Sequence, residues 1–245
     1  MSVAAHELRN PLTPISMQVS ILVRSARAAD PPLPAGIVAG LERLERATQR
    51  FLNRATVLLD VSRLAAGHPF RPDVARVDLS ALILELVTDR APIAERLRIK
   101  LDTEAVEPGV MGAWDRVGVE LILDNLISNA MKYGTGAPIA LGLIQHVDET
   151  AAQRISLWVR DAGPGIAAED HETIFARFQQ ARARKPMEGG FGVGLWVARE
   201  VARGMGGDIQ VDSQPGAGAT FRVQLPLDVE AHMAKELGKQ HDSQS

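Results

Sequence analysis

The sequence contains no cysteine, which excludes a disulfide framework, a thiolate-ligated zinc site and thiol catalysis, and fits a reducing compartment such as the cytoplasm. It has no excess of positive charge. Its 27 Lys and Arg stand against 30 Asp and Glu, with both signs mixed along the chain, so no basic field is available to track nucleic acid or an anionic membrane. No apolar run approaches the ~18 to 20 residues that span a bilayer, and no basic-then-apolar leader opens the chain. No internal repeat is present. Two familiar phosphate-binding signatures are also missing. GxxxxGK followed by Ser or Thr occurs nowhere, and Gly190-Phe-Gly192-Val-Gly194-Leu195 has leucine where the dinucleotide fingerprint needs a third glycine. What remains is 245 residues, 46% of them hydrophobic, enough for at least one buried core and one or two domains.

Apolar residues Leu8, Leu12, Ile15, Val19 and Leu22 recur at alternating steps of four and three, the seam of a helix. Asp30 to Pro34 breaks it, and Ile37, Leu41, Leu44, Thr48, Phe51, Ala55 and Leu58 resume the spacing until Gly67-His68-Pro69. Two long antiparallel helices follow, and because each apolar stripe has nowhere to be buried within one hairpin, the pattern predicts a homodimer through a four-helix bundle. From about Val74 the pattern becomes mixed. Helices are predicted over Leu79 to Ala94, capped near Asp78, and from an Asp115 cap to Tyr133. A further helix is expected over Val193 to Arg203. Strands are predicted at Ile99 to Asp102, Ile139 to Val147, Ile155 to Val159, Ile209 to Ser213 and Thr220 to Leu225, the last two joined by a Gln-Pro-Gly-Ala-Gly hairpin. The expected fold class is α+β: residues 1–68 a helical hairpin, 74–227 a sandwich with helices over one face of a mixed sheet, and 228–245 a polar, frayed tail.

Asn125, Asn129, Lys132 and Tyr133 fall at helical spacing on one polar side of an otherwise greasy helix. Amide oxygens suit a hard cation, lysine supplies a point charge for phosphate, and tyrosine can stack on a base, although a solvated helix face would look the same. Asp161-Ala-Gly163-Pro-Gly165 follows a strand, so a carboxylate projects from the strand end beside glycines that admit a ligand against bare backbone. The glycines at 190, 192 and 194 open a helix whose first N–H groups make an anion cradle. Between these stretches the polar segment 179–189 has the composition of a lid over phosphate, or of a plain loop.

In this order the segments resemble the five boxes of the histidine kinase ATP-binding domain and its wider GHKL superfamily. The N box is Asn125 to Tyr133, the G1 box Asp161 to Ile166, the F box Ile174 to Phe178, the G2 box Gly190 to Leu195 and the G3 box Gly216 to Phe221. The resemblance covers roughly 79–226 and implies a Bergerat-type sandwich binding ATP and Mg²⁺. It implies Asn129 as the Mg²⁺ ligand with Asn125 in support, Asp161 as acceptor of the adenine amino hydrogen and Tyr133 along the base. Lys132 and Arg177 would meet phosphate, and Gly190, Gly192 and Gly194 would hinge the lid. Gly163, Gly165, Leu195 and Thr220 complete the nucleotide-contacting set. An amide at 125, where the ATP-hydrolysing relatives carry a glutamate, argues for transfer to a side chain over hydrolysis.

His6-Glu7-Leu8-Arg9-Asn10-Pro11-Leu12 is similar to the family's H box. His6 lies off the apolar seam, and Asn10 shares its side of the helix, while Pro11 and Pro14 remove backbone donors just beyond it. The resemblance implies His6 as the phosphorylated nucleophile, with Glu7 polarising the ring or taking its proton and Asn10 positioning water for the reverse reaction. It further implies a response regulator receiver domain as partner. Only five residues precede His6, whereas the family's first helix extends upstream, so the expectation is a cytoplasmic piece of a longer protein that can be anchored in the inner membrane. Two other functions fit parts of the pattern: an ATP-hydrolysing or serine-phosphorylating relative, and a nucleotide-binding scaffold without transfer activity.

Overall fold

The computed structural model describes residues 17–29, 33–34, 36–44, 48, 70–177 and 193–242, the side chains of 236–242 excepted. The chain divides into two compact units, Met1–His68 and Pro69–Ser245. Among the described residues, no helix is long and apolar enough to cross a membrane.

In the first unit, residues 17–27 (α1) and 36–44 (α2) are helical. Arg27 joins them, donating from Nε and Nη2 to Glu42 Oε1 at 3.1 and 2.8 Å. Val19, Val23 and Ala26 are buried, and Leu22 is 51% exposed. The buried stripe of α1 therefore continues from Val19 through Val23, not through Leu22 as the sequence spacing suggests. Both positions satisfy a step of three or four, and only the partner's placement chooses between them. His6, Glu7 and Asn10 lie outside the described residues.

The second unit opens with β1 (Ala75–Asp78), which leads into α3 (Leu79–Leu97). The Asp78 carboxylate accepts the Ala81 N–H at 2.9 Å, so the predicted cap is present. β2 (Leu101–Val106) begins later and runs longer than the spacing suggests. β3 (Met111–Trp114) pairs antiparallel with β1 in a separate two-stranded sheet, which no sequence signal announced. Trp114 is fully buried and donates from Nε1 to the Pro226 carbonyl at 2.8 Å.

Asp115 caps α4 (Arg116–Tyr133) by accepting the Gly118 N–H at 2.9 Å. Val119, Ile122, Leu123, Leu126, Ile127 and Ala130 form its buried face, each large side chain contributing about 1.5–3 kcal/mol of burial. Asn125, Asn129, Lys132 and Tyr133 are left half-buried at its margin. β4 (Ile139–Val147) and β5 (Gln153–Asp161) follow, then α5 (Gly194–Gly204), β6 (Asp208–Ser213) and β7 (Ala219–Pro226).

The main sheet has the order β2-β4-β5-β7-β6, with β2 parallel to β4 and the other pairs antiparallel. Alternation sends Ile155, Leu157, Val159 and Asp161 of β5 to one face, in register with Leu225, Val223, Phe221 and Ala219 of β7. The packing of α3 on β2, α4 on β4 and β5, and α5 on β6 and β7 covers that face. The expected mixed sheet under one layer of helices is therefore present. The expected frayed tail is not: Val229–Asp242 forms α6. Val229 is fully buried, and the His232 ring lies where a side chain at Gly206 would stand. Among the described side chains, Val229 and His232 dock a segment whose composition is polar.

Candidate nucleotide site

The site assembles around the C-terminal half of α4. Tyr133 ends that helix and Gly134 follows it, so the chain turns where the β5 strand end arrives with Asp161, which is 8% exposed. Asp161 Oδ1 accepts the Gly163 N–H at 2.8 Å, fixing the carboxylate by its own turn. A side chain at Gly163 would stand 2.6 Å from the Tyr133 carbonyl and 2.7 Å from Asp161 Oδ1. Glycine at 163 is thus what lets the turn close on the end of α4.

Gly165 adopts φ +70°, and a Cβ there would lie 1.8 Å from the Gln214 carbonyl. Both the left-handed conformation and the contact require glycine. The turn is thereby fastened to the β6–β7 hairpin, with the Gly216 N–H donating to the Pro164 carbonyl at 2.7 Å and the Ile166 N–H to Ser213 Oγ at 2.9 Å. Ser213 Oγ in turn donates to the Gly218 carbonyl at 2.6 Å. Ser213 was missed in the sequence, where a serine closing a strand carries no signal of its own.

At the other side of α4, Asn125 Nδ2 donates to the Leu121 carbonyl at 2.9 Å. That bond turns Oδ1 toward the start of α5, where a side chain at Gly194 would stand only 2.5 Å from it. An amide oxygen is therefore set beside a helix N-terminus whose N-cap residue, Val193, offers no side-chain cap. First-turn N–H groups and the helix dipole favour an anion there. Leu195 is half-buried in the same first turn. Lys132 Nζ lies 5.1 Å from the centre of the Tyr133 ring, placing a cation and an aromatic face together.

Arg177 is exposed, and its guanidinium stacks 4.3 Å from the centre of the Trp196 ring on α5. Trp196 is buried and follows Leu195 directly. Nearby, Arg199 donates from Nε and Nη2 to the two oxygens of Asp208 at 2.8 and 3.1 Å, and from Nη1 to Glu172 Oε2 at 2.8 Å. Its hydrogen bonds with Asp208 and Glu172 raise the Arg199 pKa against the effect of burial. The hydrogen bond from Arg199 holds the Glu172 carboxyl below its ordinary range. Burial pushes Asp208 up, but hydrogen bonds from Arg199 and the Ile209 N–H, together with the charges of Arg199 and Arg203, outweigh it and leave its pKa lowered.

The fold thus brings Asn125, Asn129, Lys132, Tyr133, Asp161, Gly163, Gly165, Gly194 and Leu195 around one helix half, with Arg177 at the flank of α5. It does not bring Thr220 there. Thr220 pairs with Arg160 while Ala219 pairs with Asp161, so strand alternation turns Thr220 to the opposite face of the sheet. Gly190 and Gly192 lie outside the described residues. Among the described residues no group of three or more His, Cys, Asp or Glu could hold a metal. A cation here would depend on amide oxygens and on the ligand's own phosphates, the pattern suited to Mg²⁺.

Two family models match the chain. One, described as His Kinase A (phospho-acceptor) domain, covers residues 1–67, and the other, described as Histidine kinase-, DNA gyrase B-, and HSP90-like ATPase, covers 114–229. Sensor histidine kinase MtrB of Mycolicibacterium paratuberculosis is 31% identical over 91% of this chain and 38% of its own length. Sensor-like histidine kinase SenX3 of Mycolicibacterium smegmatis is 29% identical over 93% of this chain and 57% of its own length. The chain therefore spans between about two fifths and three fifths of the length of these relatives. Among solved structures, full-length ShkA in complex with AMPPNP aligns with TM-score 0.59 and 24% identity over 91% of this chain and 44% of that one. Acinetobacter baumannii histidine kinase AdeS aligns with TM-score 0.55 and 21% identity over 91% and 98%. At these identities the structural likeness concerns the fold.

Proposed function

The chain belongs to the sensor histidine kinases of two-component systems, and from that membership we propose that it transfers the γ-phosphoryl group of ATP to His6 and relays it to an aspartate of a response regulator receiver domain. Residues 1–68 act as the dimerisation and phosphoacceptor hairpin and 74–227 as the ATP-binding unit. The observation that carries the reading is the meeting of Asn125 Oδ1 with the start of α5 at Gly194, because it joins a cation-supporting amide to a phosphate-binding helix end.

Asp161, held by the Gly163 N–H, accepts the hydrogen of the adenine amino group, while Tyr133 lies along the base. Gly163 and Gly165 let the turn that carries Asp161 close on Tyr133 and on the β6–β7 hairpin, which sets the carboxylate for the base. Asn129 would hold Mg²⁺ through its amide oxygen, with Asn125 in support, and the ion would supply positive charge to neutralise the phosphates. Lys132 and Arg177 meet phosphate. The glycines at 190, 192 and 194 and Leu195 supply the close backbone approach and the hinge. Neither asparagine is a base strong enough to activate water, which favours transfer to a side chain over hydrolysis.

In the transfer, a neutral His6 ring nitrogen uses its lone pair to form the N–P bond as the bridging bond to the β-phosphate breaks, and ADP leaves with that oxygen. Glu7 takes or polarises the proton on the other ring nitrogen. A receiver aspartate then attacks the phosphorus and restores the imidazole, and Asn10 positions water when the phosphoryl group is instead removed from the regulator. The hairpin acts as a homodimer. Leu22, Ile37 and Leu44 of α1 and α2 are each about half exposed in the single chain, apolar surface that a second copy would cover.

Incubation with labelled ATP and Mg²⁺ tests the reaction. An acid-labile, base-stable adduct on the wild type that is lost in His6→Gln, with ATP binding retained, is the expected result. Steady phosphate release without an adduct would overturn it.

A further inference from the structure

Arg199 ties α5 both to β6 and to the stretch that carries Glu172 and Phe175. Its side chain is 11% exposed, and Nε and Nη2 fork to both oxygens of Asp208 on β6. Its third arm instead reaches Glu172, whose side chain is 82% exposed, and its plane lies 4.6 Å from the centre of the Phe175 ring. Phe175 packs edge-on to Phe221 of β7 at 6.3 Å. Glu172 and Phe175 belong to the short stretch that runs into Arg177, and Arg177 itself stacks on Trp196, one turn before Arg199 on α5.

The chain that ends in Arg177 is therefore stapled to the first two turns of α5 by one ion pair and two cation–π contacts. The same turns carry Gly194 against Asn125. Residues 172–177 and 194–199 flank the segment 178–192 in sequence. A shift of one flank against the other would change the distance between Arg177 and the start of α5, the two places proposed above to meet phosphate.

We propose that Arg199 is a positioning residue for nucleotide binding, which from α5 grips Glu172 and Phe175 and so holds the two flanks of residues 178–192 in register, letting Arg177 and the N-terminus of α5 engage one triphosphate together. The inference rests on the nucleotide reading of the site. It assigns the Glu172 arm to phosphate affinity and the Asp208 fork to folding, a division that substitution can separate.

Glu172→Gln removes the exposed arm and keeps the fork, while Arg199→Lys keeps one charge but cannot serve both carboxylates. Affinities of the full chain for Mg-ATP, titrated directly, and for adenosine, by competition, are compared with melting temperatures. The expected result is ATP binding weakened about two- to fivefold in Glu172→Gln and about tenfold in Arg199→Lys. Adenosine binding stays the same in both, and Glu172→Gln keeps the wild-type melting temperature. A purely structural arginine would leave the ATP to adenosine affinity ratio fixed. Wild-type ATP binding together with an unchanged ratio in Glu172→Gln would overturn the inference alone, whereas a wild type that binds no ATP would overturn the nucleotide reading first.

Discussion

Replacing Gly194 with alanine should separate nucleotide binding from folding. The new methyl would stand 2.5 Å from Asn125 Oδ1 and 3.4 Å from its Cγ, too close for the amide to stay. Asn125 must rotate and give up its 2.9 Å bond to the Leu121 carbonyl, a loss of about 0.5–1.5 kcal/mol. Against this, alanine in place of helical glycine contributes about 0.5–1 kcal/mol. The two nearly offset, so the melting temperature should move by no more than about 2–4 °C. Binding has no such offset, because a displaced amide no longer supports cation and phosphate. Losing one hydrogen bond to a charged group, about 1.5–3 kcal/mol, predicts Mg-ATP affinity roughly 10- to 150-fold weaker. Calorimetric titration and thermal melting of the same samples measure both quantities. In an Asn125→Ala background the further effect of Gly194→Ala should vanish, since no amide remains to displace. An equal loss in that background, or unchanged affinity in the single variant, would refute the reasoning.

Asp161→Asn keeps an oxygen for the Gly163 N–H, 2.8 Å away in the wild type, and so keeps the turn. It places an amide donor against the adenine amino group, and ATP affinity should fall by about 10- to 150-fold with little change in melting temperature. Full retention of affinity would remove Asp161 from the site. The lowered pKa of Asp208 fixes the sign of an acid effect. A carboxyl with a depressed folded pKa adds stability that is complete above its unfolded value, about 3.9, and is lost as pH falls through the folded value. Melting curves between about pH 5 and 2 should therefore drop more steeply for the wild type than for Asp208→Asn, and parallel curves would contradict the pairing with Arg199.

The local signals in the sequence were enough for whatever depends on neighbours in the chain. Asp78 and Asp115 cap their helices as spacing predicts, because a cap needs only a short polar side chain three residues before an N–H. Ile139–Val147 is a strand to the residue, and the polar side of α4 falls where helical periodicity puts it. The ordered boxes marked out the candidate site for the same reason, each being a short run whose chemistry is written in adjacent residues. What depends on separate segments meeting was decided only by tertiary structure. The β1–β3 pair is too short to announce itself, and α6 is held by Val229 and His232 against surfaces far away in sequence. Thr220 and Ala219 are equally plausible in a motif, and only the register with β5 turns one of them toward Asp161. The contact of Gly194 with Asn125 and the three-way grip of Arg199 join residues that no periodicity relates. Side-chain direction and long-range proximity are properties of packed elements, and a linear pattern holds the first only through its period and the second not at all.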